Sequence, residues 1–146
     1  MKNDGTSSEE LFEAYVRRVH PLAFLYRIAD QKELSRGNAL KGIVTRRTPS
    51  DYILTDGGVM AYTEVKSCSN DISFPFSYFT PGQNHAMTRQ VAAGGSYWIW
   101  IHNISTNMMY RITGQDVLGA RHKGKKSLKW TEIIKLAKES FDGSIY

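Results

Sequence analysis

Apolar positions along the chain change their spacing from helical to strand-like and back. In TSSEELFEAYVRRV (6–19), Leu11, Phe12, Tyr15, Val16 and Val19 recur at three- and four-residue steps, the stripe of an amphipathic helix. Ser7 with Glu10 three residues later has the pattern of a capping box, and Pro21 stops the helix. LAFLYRIA (22–29) is short, apolar and aromatic, and predicts a strand. DYIL (51–54) and VMAYTEVKS (59–67) predict two strands joined by TDGG, a strong hairpin signal. Pro75 interrupts SFPFSYF (73–79), so an irregular or edge segment is expected there. Thr80 before Pro81 gives the order of an N-cap and a first helical residue, and Gly94-Gly95 closes that helix. SYWIWIHN (96–103) and MMYRIT (108–113) predict a second pair of strands. In the first of them Trp98 and Trp100 alternate with Tyr97, Ile99 and Ile101, so both faces are apolar and the strand is expected at the centre of a sheet. ARHKGKKSLKW (120–130) reads as a basic loop and TEIIKLAKESF (131–141) as a terminal amphipathic helix. This order predicts an α/β or α+β fold, α/β being preferred, with a central mixed β-sheet flanked by helices.

At 146 residues the chain is long enough for one domain with a real core, and residues 1–146 are read as that single domain. Residues 30–48 break the apolar pattern and carry Lys32, Arg36, Lys41, Arg46 and Arg47, so they are expected to protrude. A net charge of +5 favours an anionic partner, nucleic acid foremost. The single cysteine, Cys68, excludes an intrachain disulfide and fits a reducing, intracellular location, with the thiol expected as a small half-buried residue at a strand end. The first ten residues hold no signal-like apolar run, and no stretch is long enough to span a bilayer. His20, His85, His102 and His122 lack metal-ligand spacing, and the glycine pairs are turns rather than phosphate-binding loops.

The candidate chemistry lies in the hairpin. Side chains alternate across a strand, so Met60, Tyr62, Glu64 and Lys66 share one face. With Asp56-Gly57 as a two-residue turn, Asp51 pairs with Tyr62 and lies diagonal to Glu64 on that same face, close enough for two carboxylates to hold one cation. Hard oxygen ligands suit Mg²⁺ or Mn²⁺, and Lys66 beside them could activate water or stabilise charge on a phosphate. The competing reading is a surface ion pair of Glu64 with Lys66, and an Asp51 that only opens a turn.

The stretch Pro49-Ser50-Asp51, followed by Glu64-Val65-Lys66, resembles the PD-(D/E)xK nuclease motif with one residue inserted. ISFPFSYFTPGQNHAMTRQVAAGGSYWIWIHN resembles the segment after the motif in RecU-type Holliday junction resolvases. ELFEAY, with Phe12-Glu13, and GKKSLKWTEI resemble that family's first helix and its late basic segment. The resemblance implies a restriction-endonuclease-like fold and a divalent-metal-dependent, structure-selective endonuclease that cuts branched DNA as a homodimer; the expected location is cytoplasmic, and the short segment 30–48 fits a compact, phage-encoded form. Asp51, Glu64 and the Val65 carbonyl would hold the metal, Lys66 would be the catalytic lysine, and Glu13 and Gln83 would border the site. Residues 30–48 are shorter than the stalk that such resolvases insert into a junction, but could do that work in reduced form. Gln83 has a second reading, as the partner of Thr80 in a capping box. Arg121, Lys123, Lys125, Lys126 and Lys129 read as phosphate contacts or as a solvated loop, and Arg46 and Arg47 as holders of the scissile strand or as edge-strand gatekeepers. Phe74, Phe76, Tyr78, Phe79 and the apolar residues of the last helix are candidates for a dimer interface, with core as the default. The alternatives to a resolvase are another PD-(D/E)xK nuclease, of repair or restriction type, and a non-catalytic basic nucleic-acid-binding module.

Overall fold

A computed structural model describes residues 5–28 and 48–146. Helix α1 (Gly5–Val19) is followed by strands β1 (Phe24–Arg27), β2 (Tyr52–Asp56), β3 (Val59–Cys68) and β4 (Ser73–Pro75), and by a 3-10 turn at Phe76–Tyr78. Next come helix α2 (Pro81–Ala92), strands β5 (Ser96–Asn103) and β6 (Met108–Thr113), helix α3 (Gly114–His122), strand β7 (Ser127–Lys129), helix α4 (Trp130–Leu136) and strand β8 (Glu139–Asp142). Apart from Thr48, the expected protruding segment 30–48, with Arg46 and Arg47, lies outside the described residues.

Six strands form the central sheet in the order β1-β2-β3-β5-β6-β8. Only β3 and β5 run parallel, so the sheet is mixed, as the pattern predicts. A parallel pair needs a crossover, and β4, the 3-10 turn and α2 supply it. β4 and β7 make a separate antiparallel ribbon.

Each face of the sheet is covered by helix because both faces are apolar. Phe12, Tyr15 and Val16 of α1, spaced as one stripe, pack on Tyr52, Leu54, Val65, Trp100, Met109 and Phe141. The other face takes Met87 of α2, Val117 and Ala120 of α3 and Ile133 of α4 against Tyr97, Ile99, Ile101 and Ile112. β5 serves both layers, which is the central strand expected of its sequence. Trp100 is 2% exposed and meets Phe12, Tyr15 and Phe141 with ring centroids 5.5–5.7 Å away. Trp100→Ala is expected to cost about 3–5 kcal/mol, read as a lower urea midpoint at an unchanged slope.

Three local expectations change, and the default of core for the phenylalanines holds. The hairpin turn is Gly57-Gly58, with φ of 58° and 83°, rather than Asp56-Gly57. A tight hairpin turn needs positive φ at both central residues, which glycine adopts without cost and aspartate does not. Asp56 therefore pairs with Val59 and Tyr52 with Thr63. The stretch 120–130 is no single loop: α3 ends in it and β7 crosses it. Helix α3 starts from a capping box of Thr113 and Asp116, a T-x-x-D signal present in the sequence. The helix expected over 131–141 stops at Leu136, and 139–142 pairs with β6 as a strand. Phe141 is buried under α1 and Ile133 on the opposite face, and one continuous helix could not put both where they are. Finally, Phe74, Phe76 and Phe79 are core, whereas Tyr78 and Ile134 remain partly exposed. Among the described residues no helix is long and apolar enough to cross a membrane.

Candidate active site

The observed hairpin register differs from the expected one by two residues. A shift of two keeps every side chain on its face. Continuing the pairing one step past Tyr52–Thr63 puts Asp51 opposite Glu64 instead of diagonal to it. Asp51 lies just beyond the end of β2, and its Oδ2 accepts the Val65 N–H at 2.9 Å. Its own carbonyl accepts from Ile28 N–H at 2.8 Å, which ties β1 to the acid. The preceding residues are fixed from beneath. The Tyr97 hydroxyl donates to the Pro49 carbonyl at 2.7 Å, and Ser50 Oγ donates to the Tyr52 carbonyl at 2.6 Å.

Glu64 is 1% exposed, so the ion pair with Lys66 is not the solvated surface pair of the competing reading. Burial holds its carboxyl well above the usual carboxylate range, the Asp51 charge and a hydrogen bond that the protonated carboxyl makes to Asp51 push it the same way, and Lys66 pulls it back. One oxygen, Oε1, accepts from Gln83 Nε2 at 3.0 Å and lies 3.8 Å from Lys66 Nζ. The other, Oε2, is buried without a hydrogen-bond partner. A buried acceptor left open costs free energy unless something fills it.

Gln83 closes the expected capping box and also bonds the acid and the amine. Its backbone N–H donates to Thr80 Oγ1 at 3.2 Å and its Oε1 accepts from Thr80 N–H at 2.9 Å, a complete capping box. The same Oε1 also accepts from Lys66 Nζ at 2.8 Å, while Nε2 reaches Glu64. A carbonyl oxygen has two lone pairs, so one side chain can start α2 and bridge the acid to the amine. The Lys66 ammonium also stands 5.8 Å from the centre of the Phe79 ring.

Glu13 lies at the rim rather than on the acid pair. It accepts from the Tyr52 hydroxyl at 2.7 Å and faces Arg27 at 3.9 Å. The acid of α1 whose charge reaches Glu64 is Glu9, one helical turn earlier, which pairs with Arg27 at 2.9 Å. Glu9, Tyr52 and Tyr97 are site neighbours that the sequence pattern did not single out. Glu9 sits in a run of acids with nothing local to choose among them, and both tyrosines read simply as core.

The basic residues separate by environment. Arg121 is half-buried and bonded to protein oxygens, donating to Asn84 Oδ1 at 2.6 Å and to the Phe76 carbonyl at 3.3 Å. Lys125 pairs with Glu132. Lys123 caps the C-terminal end of α3, and Lys129 starts α4 from the end of β7. Lys125 and Lys126 line an open groove of about 620 Å³ with Asn84, Arg121 and Phe79, next to the residues that hold Lys66. No acidic side chain lines that groove.

Among the described residues no group of three or more His, Cys, Asp and Glu side chains stands together as metal ligands. What the site offers is two carboxylates, one with an oxygen buried and open. That hard-oxygen donor set fits Mg²⁺ or Mn²⁺, whose shells are completed by backbone oxygen and water, and not Zn²⁺.

No family model and no curated protein matches the chain. Among solved structures, it is similar to Hjc, a Holliday junction resolvase from the archaeal hyperthermophile Archaeoglobus fulgidus. The TM-score is 0.55 over 90% of this chain and 93% of that one, at 13% sequence identity. At that identity the likeness is one of fold, and the fold is restriction-endonuclease-like α/β.

Proposed function

We propose that this chain is a divalent-metal-dependent DNA endonuclease that hydrolyses phosphodiester bonds in branched DNA, in the manner of a small Holliday junction resolvase. The observation that carries the reading is the buried Glu64, its Oε1 bonded to Gln83 and its Oε2 open, opposite Asp51 and 3.8 Å from Lys66. A structural protein has little reason to bury an acid such as Glu64 beside a second acid, because an uncompensated buried charge is costly. The fold likeness to a junction resolvase supports the same reading, as does the net charge of +5.

Asp51, Glu64 and the Val65 carbonyl are the proposed ligands of Mg²⁺ or Mn²⁺. Such an ion would supply Lewis-acid polarisation of a phosphoryl oxygen and of a bound water. The protein's own contribution is preorganisation. Asp51 is fixed by the Val65 N–H, and Glu64 is fixed by Gln83. The Lys66 ammonium is aimed by the Gln83 carbonyl oxygen to meet negative charge developing on the phosphate. Lys66 is the proposed catalytic amine, and Gln83 and Glu13 border the site. The proposed DNA contacts are Lys123, Lys125, Lys126 and Lys129, with Arg46 and Arg47 on the basic segment; Arg121, from the same run, is bonded to protein oxygens. That segment's two flanks meet at the site, where Ile28 N–H bonds the Asp51 carbonyl. Coordinated incision of two strands calls for two such sites, so a homodimer is the proposed working form.

A labelled four-way junction incubated with the protein and Mg²⁺ tests this. Paired symmetric nicks are the expected result. Cleavage of plain duplex with equal ease would make it another nuclease of the same fold. Retention of DNA with no cleavage in Mg²⁺ or Mn²⁺ would overturn the enzymatic reading in favour of a binding module.

A further inference from the structure

Arg121 belongs to a dense basic run, and its obvious role is to meet a phosphate. Its surroundings describe another one. From the end of α3 its guanidinium donates to Asn84 Oδ1 at 2.6 Å and to the Phe76 carbonyl at 3.3 Å. Its centre lies 5.2 Å from the Phe76 ring and 5.9 Å from the Phe79 ring. It therefore adds a tie from α3 to three consecutive pieces of chain, the 3-10 turn, the Phe79-Thr80 entry to α2 and the first turn of α2, which are otherwise linked by the Phe79 N–H bond to the Phe76 carbonyl and by the Thr80–Gln83 capping box. Each borders the candidate site. Asn84 is the residue after Gln83, Thr80 shares the capping box with Gln83, and the Phe79 ring stands beneath the Lys66 ammonium. Partial withdrawal from water also lowers the guanidinium's proton affinity. Two of its five donors are committed to fixed oxygens and its centre lies near two aromatic rings, which hold the guanidinium in one place.

We propose that Arg121 is a positioning residue. It clamps the first turn of α2 onto the 3-10 turn so that the Gln83 amide reaches Lys66 and Glu64 together. Lys126, in the same groove and without such ties, is the residue that meets the nucleic-acid backbone. This rests on the nuclease reading of the Asp51–Glu64–Lys66 site.

Arg121→Lys keeps the charge and loses the fork, and Asn84→Ala removes the partner without touching the cation. Both are expected to slow single-turnover cleavage of a four-way junction at saturating protein by roughly 10–100-fold, the usual effect of a displacement near 1 Å at a reacting centre. Junction Kd should stay within about threefold, and its dependence on salt should be unchanged. Lys126→Ala should weaken binding and reduce the slope of log Kd against log salt by about one. The side-chain amide signal of Gln83 in a ¹⁵N spectrum should move in Arg121→Lys and Asn84→Ala and stay in Lys126→Ala. If Arg121→Lys cleaves at the wild-type rate with the amide signal in place, or if Arg121→Ala lowers the salt slope while keeping the rate, the clamp is wrong. If the wild-type protein cuts no DNA, the nuclease reading falls, and the amide signal still decides whether Arg121 sets the position of Gln83.

Discussion

Glu64→Gln is expected to abolish Mg²⁺-dependent cleavage and, at the same time, to make the metal-free protein more stable. The buried carboxyl faces Asp51 with one oxygen unpartnered, and both burial and the Asp51 charge raise its proton affinity in the folded state. At low pH, where folded and unfolded chains are both protonated, the group contributes nothing to stability. As pH rises the unfolded chain ionises first, and folding is increasingly disfavoured until the folded carboxyl ionises as well. A glutamine keeps the acceptor for Gln83 and turns the second oxygen into a donor toward Asp51. The gain should therefore be absent in acid and present at neutral pH. A relief of about 1–2 kcal/mol there corresponds to a rise of roughly 3–10 °C in Tm. Added Mg²⁺ should raise the Tm of the wild-type protein, more strongly as pH increases, because binding must displace the proton held by Glu64. It should leave Glu64→Gln unmoved. Scanning calorimetry of both proteins at two pH values, with and without Mg²⁺, checks each part. A Mg²⁺-induced rise equal in wild type and variant would show that Glu64 is no ligand.

Lys66→Ala is expected to lose at least about 10³-fold in single-turnover cleavage, some 4 kcal/mol of transition-state stabilisation, with junction Kd nearly unchanged. The amine donates to Gln83 Oε1 at 2.8 Å, stands over an aromatic ring and lies 3.8 Å from Glu64 Oε1. Its positive charge is expected to act on a substrate phosphate as well as on Glu64. Loss of the lysine also removes the one neighbour that lowers the proton affinity of Glu64. The pH at which Mg²⁺ binds should move upward in the variant, an effect that titration calorimetry reads without any cleavage. Cutting at the wild-type rate in Lys66→Ala would remove the lysine from the mechanism.

The site was partly legible because strand alternation is a local rule. Glu64 and Lys66 had to share a face whatever the turn. Asp51 landed on that face even with the turn misplaced by one residue, because the pairing error was an even number. Thr80, Pro81 and Gln83 likewise announced a helix start. The bridge from Gln83 to Lys66 and Glu64 was not legible, since those residues are 17 and 19 positions away and meet only once α2 folds back over the sheet. Residues 139–142 show the opposite failure. Four residues carry too little period to distinguish a strand from the end of a helix, and their pairing with β6 decides the matter. In the basic run, composition weighted five cations alike. Contacts to Asn84, Phe76 and Glu132 then gave Arg121 and Lys125 partners within the protein.

By itself, then, the order of residues determined which side chains share a sheet face, where α2 begins and that β5 is buried on both sides, because each follows from spacing along one segment. The tertiary structure alone decided that Glu64 is sealed from water with an open oxygen, that the Glu9 charge reaches it, and that Gln83 stands between acid and amine. Those are properties of residues brought together from α1, the hairpin and α2. Burial and electrostatic coupling depend on distance in space, and no local pattern encodes it.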